Sequence, residues 1–128
     1  MKGTSIPDDV RRFIVTSVPS IPHLEGLLLL RDATVPAWNA DILAQRLYIG
    51  TRQAADLIEA LHSSGFLAPI EDSPGNYRYE PIHPSLREIA DKLAQAYQTD
   101  LIGITNLVHS ANSKKVQQFA DAFKWRRD

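Results

Sequence analysis

Three side chains that could recognise a nucleic acid stand side by side at the predicted start of a helix. Thr51, Arg52 and Gln53 place a hydroxyl, a guanidinium and a carboxamide in consecutive positions. A guanidinium can pair with guanine and a carboxamide with adenine in the major groove, and a hydroxyl at a helix N-terminus suits a phosphate. Arg46 and Arg78 are further basic residues that could contact a phosphate backbone.

The sequence shows no arrangement typical of catalysis or of metal binding. Its four histidines are isolated, without HxxxH or HExxH spacing, and it has no cysteine. The acidic pairs Asp8–Asp9 and Glu71–Asp72 are interpreted as helix-start and turn residues, because acid–base groups need a concave and partly dry setting. We therefore expect no enzyme activity, no cofactor and no metal.

Composition predicts one folded, soluble domain. The chain has 128 residues, of which 44% are hydrophobic and 23% are charged, as in ordinary globular proteins. The net charge of −1 gives no overall attraction to nucleic acid, so any such binding must come from local arrangement. Charged residues near the start and the lack of a long apolar run favour a cytoplasmic location.

Helical periodicity and capping residues predict how the candidate residues are positioned. Four helices are expected to begin near Asp8, Ser20, Asn39 and Thr51. A short edge strand is expected over 35–38, before the third helix. The turn between the third and fourth helices is expected at 48–50, with Gly50 supplying the unusual backbone angles. Gly65 is expected to end the fourth helix in a left-handed conformation.

A β-hairpin and further helices are predicted for the rest of the chain. Residues 66–70 and 77–80 are β-prone and are separated by a strong turn signal. Pro84 is expected to open one long helix of about 25 residues. A break at 111–113 and a last amphipathic helix follow, the latter with Val116, Phe119 and Phe123 on one face.

The stretch LAQRLYIGTRQAADLIEALHSSGFL, residues 43–67, resembles the helix-turn-helix of bacterial winged-helix transcription regulators such as the MarR, ArsR and PadR groups. Leu43, Ala44, Leu47 and Leu57 fall where that motif has apolar or small residues. Tyr48 departs from it, because the motif usually has glycine there. The resemblance implies a winged helix-turn-helix domain at 1–83, with recognition helix 51–64 in the major groove of double-stranded DNA.

The charge of this region supports a second interpretation. Residues 20–83 contain four basic and eight acidic residues, a net charge of −4, which opposes phosphate binding. The predicted wing turn, which contains Glu71 and Asp72, is acidic too. The alternative function is therefore a winged-helix module that binds another protein rather than DNA.

The last third, residues 84–128, is interpreted as a helical dimerisation extension with a basic C-terminal arm. Its apolar stripe is predicted to form a homodimer seam, although the chain's own first helix could cover it instead. The basic arm at 113–128 could dock on the partner subunit or pack on its own body. The predicted dimerisation residues are Leu93, Tyr97, Leu101, Ile104, Val108, Phe119 and Phe123.

Overall fold

The protein is mostly helical and carries a small two-stranded antiparallel sheet, as the sequence predicts. The computed structural model describes residues 6–32 and 34–126, and their side chains as far as residue 113. In chain order the elements are α1 (Asp8–Ser17), α2 (Ile21–Leu30), α3 (Ala40–Leu47), α4 (Thr51–Ser63), β1 (Leu67–Pro69), β2 (Tyr77–Tyr79), α5 (Pro84–Thr99) and α6 (Leu101–Arg126).

The chain divides into two compact units. Pro22–Lys92 forms one, here called the central unit; the described residues before and after it form the other, the terminal unit. The sequence predicts a domain boundary after residue 83, whereas the boundary between the two compact units falls after Lys92, within α5. Helix α5 thus contributes its first half to one unit and its second half to the other.

In the central unit, α3 packs against α4. The side chains of Leu47 on α3 and Leu57 on α4 reach Gly26 on α2, where an added Cβ would lie at an ordinary contact distance of 3.7 Å from both. The buried apolar residues of this unit include Leu24, Leu27, Leu30, Trp38, Leu43, Ile58, Leu61 and Phe66.

The sheet pairs β1 with β2 in the register Leu67 to Tyr79 and Pro69 to Tyr77. Both strands are shorter than the sequence predicts, since only three residues of each pair. The predicted edge strand over 35–38 is reduced to one bridge, in which the backbones of Trp38 and Tyr77 exchange two hydrogen bonds of 2.8 Å. This bridge joins the segment before α3 to the hairpin.

In the terminal unit, α1 packs against α6. Val10 and Ile14 on α1, and Ile104 and Val108 on α6, are buried. Two carboxylates, Asp8 and Asp9, lie in the first turn of α1, where they stabilise the helix by their attraction to the positive end of its dipole.

The prediction of one long helix from Pro84 was wrong, because α5 ends at Thr99 and a second helix begins after Asp100. Thr99 donates its hydroxyl to the Gln95 carbonyl at 2.9 Å, and the Asp100 carboxylate accepts the Gly103 N–H at 3.0 Å. Asp100 therefore caps a new helix. The break predicted at 111–113 is also wrong: α6 runs through it to Arg126 as one helix, so there is no separate terminal helix.

No single helix in the described part of the chain is both long enough and apolar enough to cross a membrane.

Candidate nucleic-acid interface

The α3–α4 pair presents the residues that the sequence singled out. Asn39 caps α3: its side-chain oxygen accepts the Ile42 N–H at 2.9 Å, as predicted. The same amide donates to the Asn76 side-chain oxygen, also at 2.9 Å, which ties the start of α3 to the hairpin turn. The start of α3 is therefore fixed from two directions.

Helix α4 has one buried and one exposed face. Ala54, Leu57, Ile58 and Leu61 are buried, at the spacing of a single helical stripe. The opposite face is open to solvent along its length. The exposed residues of α4 are Thr51, Arg52, Gln53, Ala55, Asp56, Glu59, His62 and Ser63.

The N-terminus of α4 is free of side-chain caps. Gly50 occupies the cap position in an extended conformation and has no side chain to accept the first amides. No acidic residue lies in the first turn. The first N–H groups of α4 and the positive end of its helix dipole are therefore available to bind an anion.

The turn before α4 is made by a different residue from the one expected. Tyr48, at φ 58° and ψ 46°, is in the left-handed region and ends α3, whereas Gly50 has an ordinary φ of −70°. The left-handed conformation costs a residue with a Cβ about 1–2 kcal/mol. The Tyr48 side chain is 94% exposed, so packing does not repay that cost.

Sequence reasoning did not place Tyr48 in the site. The sequence nevertheless contained an indication of its role, because Tyr48 occupies a position at which the resembled motif usually has glycine. The structure shows that the glycine-like conformation is kept and that an aromatic ring is held in solvent beside the start of α4.

The two arginines proposed for backbone contacts have different surroundings. The Arg46 guanidinium lies 5.7 Å from the centre of the Trp38 ring, on whose face it stacks, and its side chain is exposed. Arg78 donates to the Glu80 carboxylate at 2.8 Å, with both side chains 57% exposed. Glu80 thus offsets the charge of Arg78.

The predicted dimer residues separate into accessible and inaccessible ones. Leu93, Ile104 and Val108 are fully buried within the chain's own fold, so they cannot form the exposed seam that the sequence suggested. Tyr97 is half-buried, and Leu101 is 52% exposed. Ile102, which the sequence did not single out, is 71% exposed. The side chains of Phe119 and Phe123 lie outside the described residues.

Within the described ranges, no three histidine, aspartate or glutamate residues come together as metal ligands. The residues that meet at one surface are instead Tyr48 and the first turn of α4. Comparison of the chain with models of protein families, with curated proteins and with solved structures finds no match.

Proposed function

We propose that the central unit is a winged helix-turn-helix. The order of its elements supports this: α2, the Trp38 bridge, α3, α4, then β1 and β2 as the wing. The third and fourth helices are joined by a three-residue turn and lead directly into the hairpin. The resemblance of residues 43–67 implies this order of elements for a winged helix-turn-helix domain at 1–83.

The function that this geometry supports best is binding of double-stranded DNA by α4, in a cytoplasmic transcription regulator of the bacterial type. The observation that carries the proposal is the open first turn of α4, where Thr51, Arg52 and Gln53 are all exposed beside an uncapped helix N-terminus. Such a helix end can enter a major groove with its leading side chains on base edges. Binding, rather than catalysis, is the proposed chemistry.

Tyr48 belongs to the same proposed surface. Tyr48 is 94% exposed and adopts an unfavourable backbone conformation, and such strain is found most often at functional sites. We therefore assign the Tyr48 ring a contact with the DNA. Its ring and hydroxyl are suited to the sugar–phosphate wall of a groove that α4 enters. Replacing it with glycine removes the ring and keeps the turn.

The test measures fluorescence anisotropy of a labelled duplex from upstream of the protein's own gene. Four arginine–phosphate contacts, from Arg46 and Arg78 in each of two chains, predict a loss of about 10²-fold in affinity between about 50 and 200 mM salt. Arg52→Ala should cost about 1–3 kcal/mol, with Tyr48→Gly also weakening binding. Arg12→Ala removes the same charge from exposed α1 and is the matched control. Equal losses in both arginine variants would refute the assignment.

The acidic surface favours a second candidate function, in which α4 and the hairpin bind a basic protein. Asp56 and Glu59 are exposed on α4, and Glu71 and Asp72 are exposed in the hairpin turn. The double variant Asp56→Asn with Glu59→Gln separates the two functions. Affinity for DNA should rise because phosphate repulsion falls, whereas affinity for a basic protein partner should fall.

A further inference from the structure

A cleft in the central unit brings together three arginines from three separate segments. Arg31 follows α2, Arg78 lies on β2, and Arg87 lies in α5; all three line the same cavity, of about 310 Å³. Among its apolar lining residues, Val35 and Pro36 have accessible surface, whereas Leu30 and Trp38 are buried. The cleft therefore combines guanidinium groups with an apolar surface, which is the composition of a small-molecule site.

The three guanidinium groups are held in different ways. Arg31 donates to the Asp91 carboxylate through Nε at 3.0 Å and through Nη2 at 2.7 Å. Arg78 pairs with Glu80, and both of those side chains are 57% exposed. The side chains of Arg31 and Asp91 are 28% and 55% exposed. Ion pairs open to solvent contribute little, so a ligand anion can compete with the resident carboxylates.

Arg87 is the guanidinium without a carboxylate partner. It stacks on the Tyr79 ring at 5.3 Å from the ring centre, and within the described ranges no ion pair joins it to an acidic residue. The Tyr79 hydroxyl is withdrawn from solvent, and its nearest polar neighbour is the Arg31 guanidinium, at a geometry too poor for a good hydrogen bond. Burial, with the nearby Asp91 carboxylate, raises the pKa of Tyr79, so this hydroxyl stays protonated and able to donate.

One acidic residue, Asp32, also lines the cleft. Its carboxylate already accepts the Thr34 N–H at 2.9 Å and the Thr34 hydroxyl at 2.7 Å. Those two donors stabilise the ionised form and lower the pKa of Asp32. Asp91 and Glu80 pair with Arg31 and Arg78, and Asp32 is held by Thr34, so Arg87 is the lining cation that is left to recognise an anion.

We propose that this cleft binds a small organic anion, with Arg87 and Arg31 holding a carboxylate or phosphate group and the wall made by Val35 and Pro36 holding an apolar body. Guanidinium groups form paired, charge-assisted hydrogen bonds with either anion. The site goes beyond DNA binding and does not depend on it, because neither Arg87 nor Arg31 is among the residues proposed to contact DNA.

The probes are phenylacetate, phenyl phosphate, neutral phenylacetamide and acetate, added to the full chain carrying Trp125→Phe. That variant leaves Trp38, in the cleft wall, as the single tryptophan, so its fluorescence reports occupancy. We expect saturable changes with phenylacetate or phenyl phosphate at about 1 mM or below. Acetate and phenylacetamide should bind at least about tenfold more weakly, since each lacks one half of the recognised chemistry.

Arg87→Gln should weaken binding of the anion by about tenfold or more, because it removes the unpaired charge. Arg87→Lys should lie between that variant and the parent, while Arg12→Gln on exposed α1 is the matched control and should bind normally. Backbone NMR spectra show whether each variant remains folded. Phenylacetamide binding as tightly as phenylacetate, no saturable response, or an equal loss in Arg12→Gln would each overturn the proposal.

Discussion

At the scale of single residues, Asn39 has two separate tasks. Its oxygen caps α3, and its amide group donates to Asn76, which itself donates to the Ser73 hydroxyl at 2.8 Å. A relay of three polar side chains therefore links the helix start to the hairpin turn. The two tasks can be separated by substitution, because aspartate keeps the oxygen and loses the amide donor.

We expect Asn39→Ala to lower the free energy of unfolding by about 1–2 kcal/mol, since both the cap and the link to Asn76 are lost. Asn39→Asp should lose less, because its carboxylate still accepts the Ile42 N–H. Urea unfolding followed by circular dichroism measures both changes. If the aspartate variant were as unstable as the alanine variant, the cap would not be the main contribution.

His23 makes stability depend on pH. It is the buried polar residue of α2, and burial lowers its pKa below the ordinary 6.5. The unfolded chain therefore binds a proton at this residue more readily than the folded chain does. Its contribution is complete above pH 6.5 and is lost as the pH falls below that value.

We expect the free energy of unfolding to decrease from about pH 7 to about pH 5, by at most about 1.4 kcal/mol per pH unit for this one proton. His23→Gln should flatten that decrease, because glutamine does not titrate. Urea titrations at several pH values give the slope for both proteins. An unchanged slope in the glutamine variant would assign the pH dependence to other groups.

At the scale of elements, Gly65 joins α4 to β1 by an unusual turn. Its φ is +92°, and a Cβ added there would lie 3.0 Å from the Ile82 side chain and 3.1 Å from that of Leu86. Gly75, in the hairpin turn, has a similar φ of +85° but nothing within 4 Å. Both positions therefore have a backbone conformation that is unfavourable for a residue with a Cβ, but only at Gly65 would the added Cβ meet neighbouring side chains.

Gly65→Ala and Gly75→Ala should both destabilise the fold, by about 1 kcal/mol or more from the backbone alone. Gly65→Ala should cost about 1–3 kcal/mol more, because Ile82 and Leu86 must move. Thermal unfolding of both variants measures the difference. Adding Ile82→Ala to Gly65→Ala should reduce the difference in stability between the two glycine variants. An equal loss of stability in Gly65→Ala and Gly75→Ala would show that contact with Ile82 and Leu86 contributes nothing.

At the scale of the whole molecule, the predicted homodimer rests on fewer residues than the sequence indicated. We propose that two copies associate through Leu101 and Ile102, which are 52% and 71% exposed at the start of α6. Two adjacent large aliphatic side chains in solvent can form a contact between copies of a protein that reads two half-sites.

Light scattering at micromolar concentration should therefore give twice the mass of the chain. The double variant Leu101→Lys with Ile102→Lys should give the mass of one chain, because the apolar contact becomes charged on both sides. Gln98→Lys, at an exposed position near the end of α5, is the control and should stay dimeric. A parent protein with the mass of one chain would contradict the dimer.

What the sequence by itself determined is local in origin. The Asn39 cap, the start of α4 at Thr51, the left-handed Gly65 and the hairpin follow from hydrogen bonding and periodicity within a few residues. The exposure of Thr51, Arg52 and Gln53 follows in the same way, because one face of an amphipathic helix must be polar.

Only the tertiary structure decided which surfaces cover one another. Periodicity shows that Leu93, Ile104 and Val108 are apolar, but it cannot say whether another copy or the same chain covers them; here the chain itself does. The arginine cleft likewise joins segments more than 40 positions apart, a juxtaposition that no local pattern contains. Burial depends on the partner surface, and that surface is set by how distant segments pack.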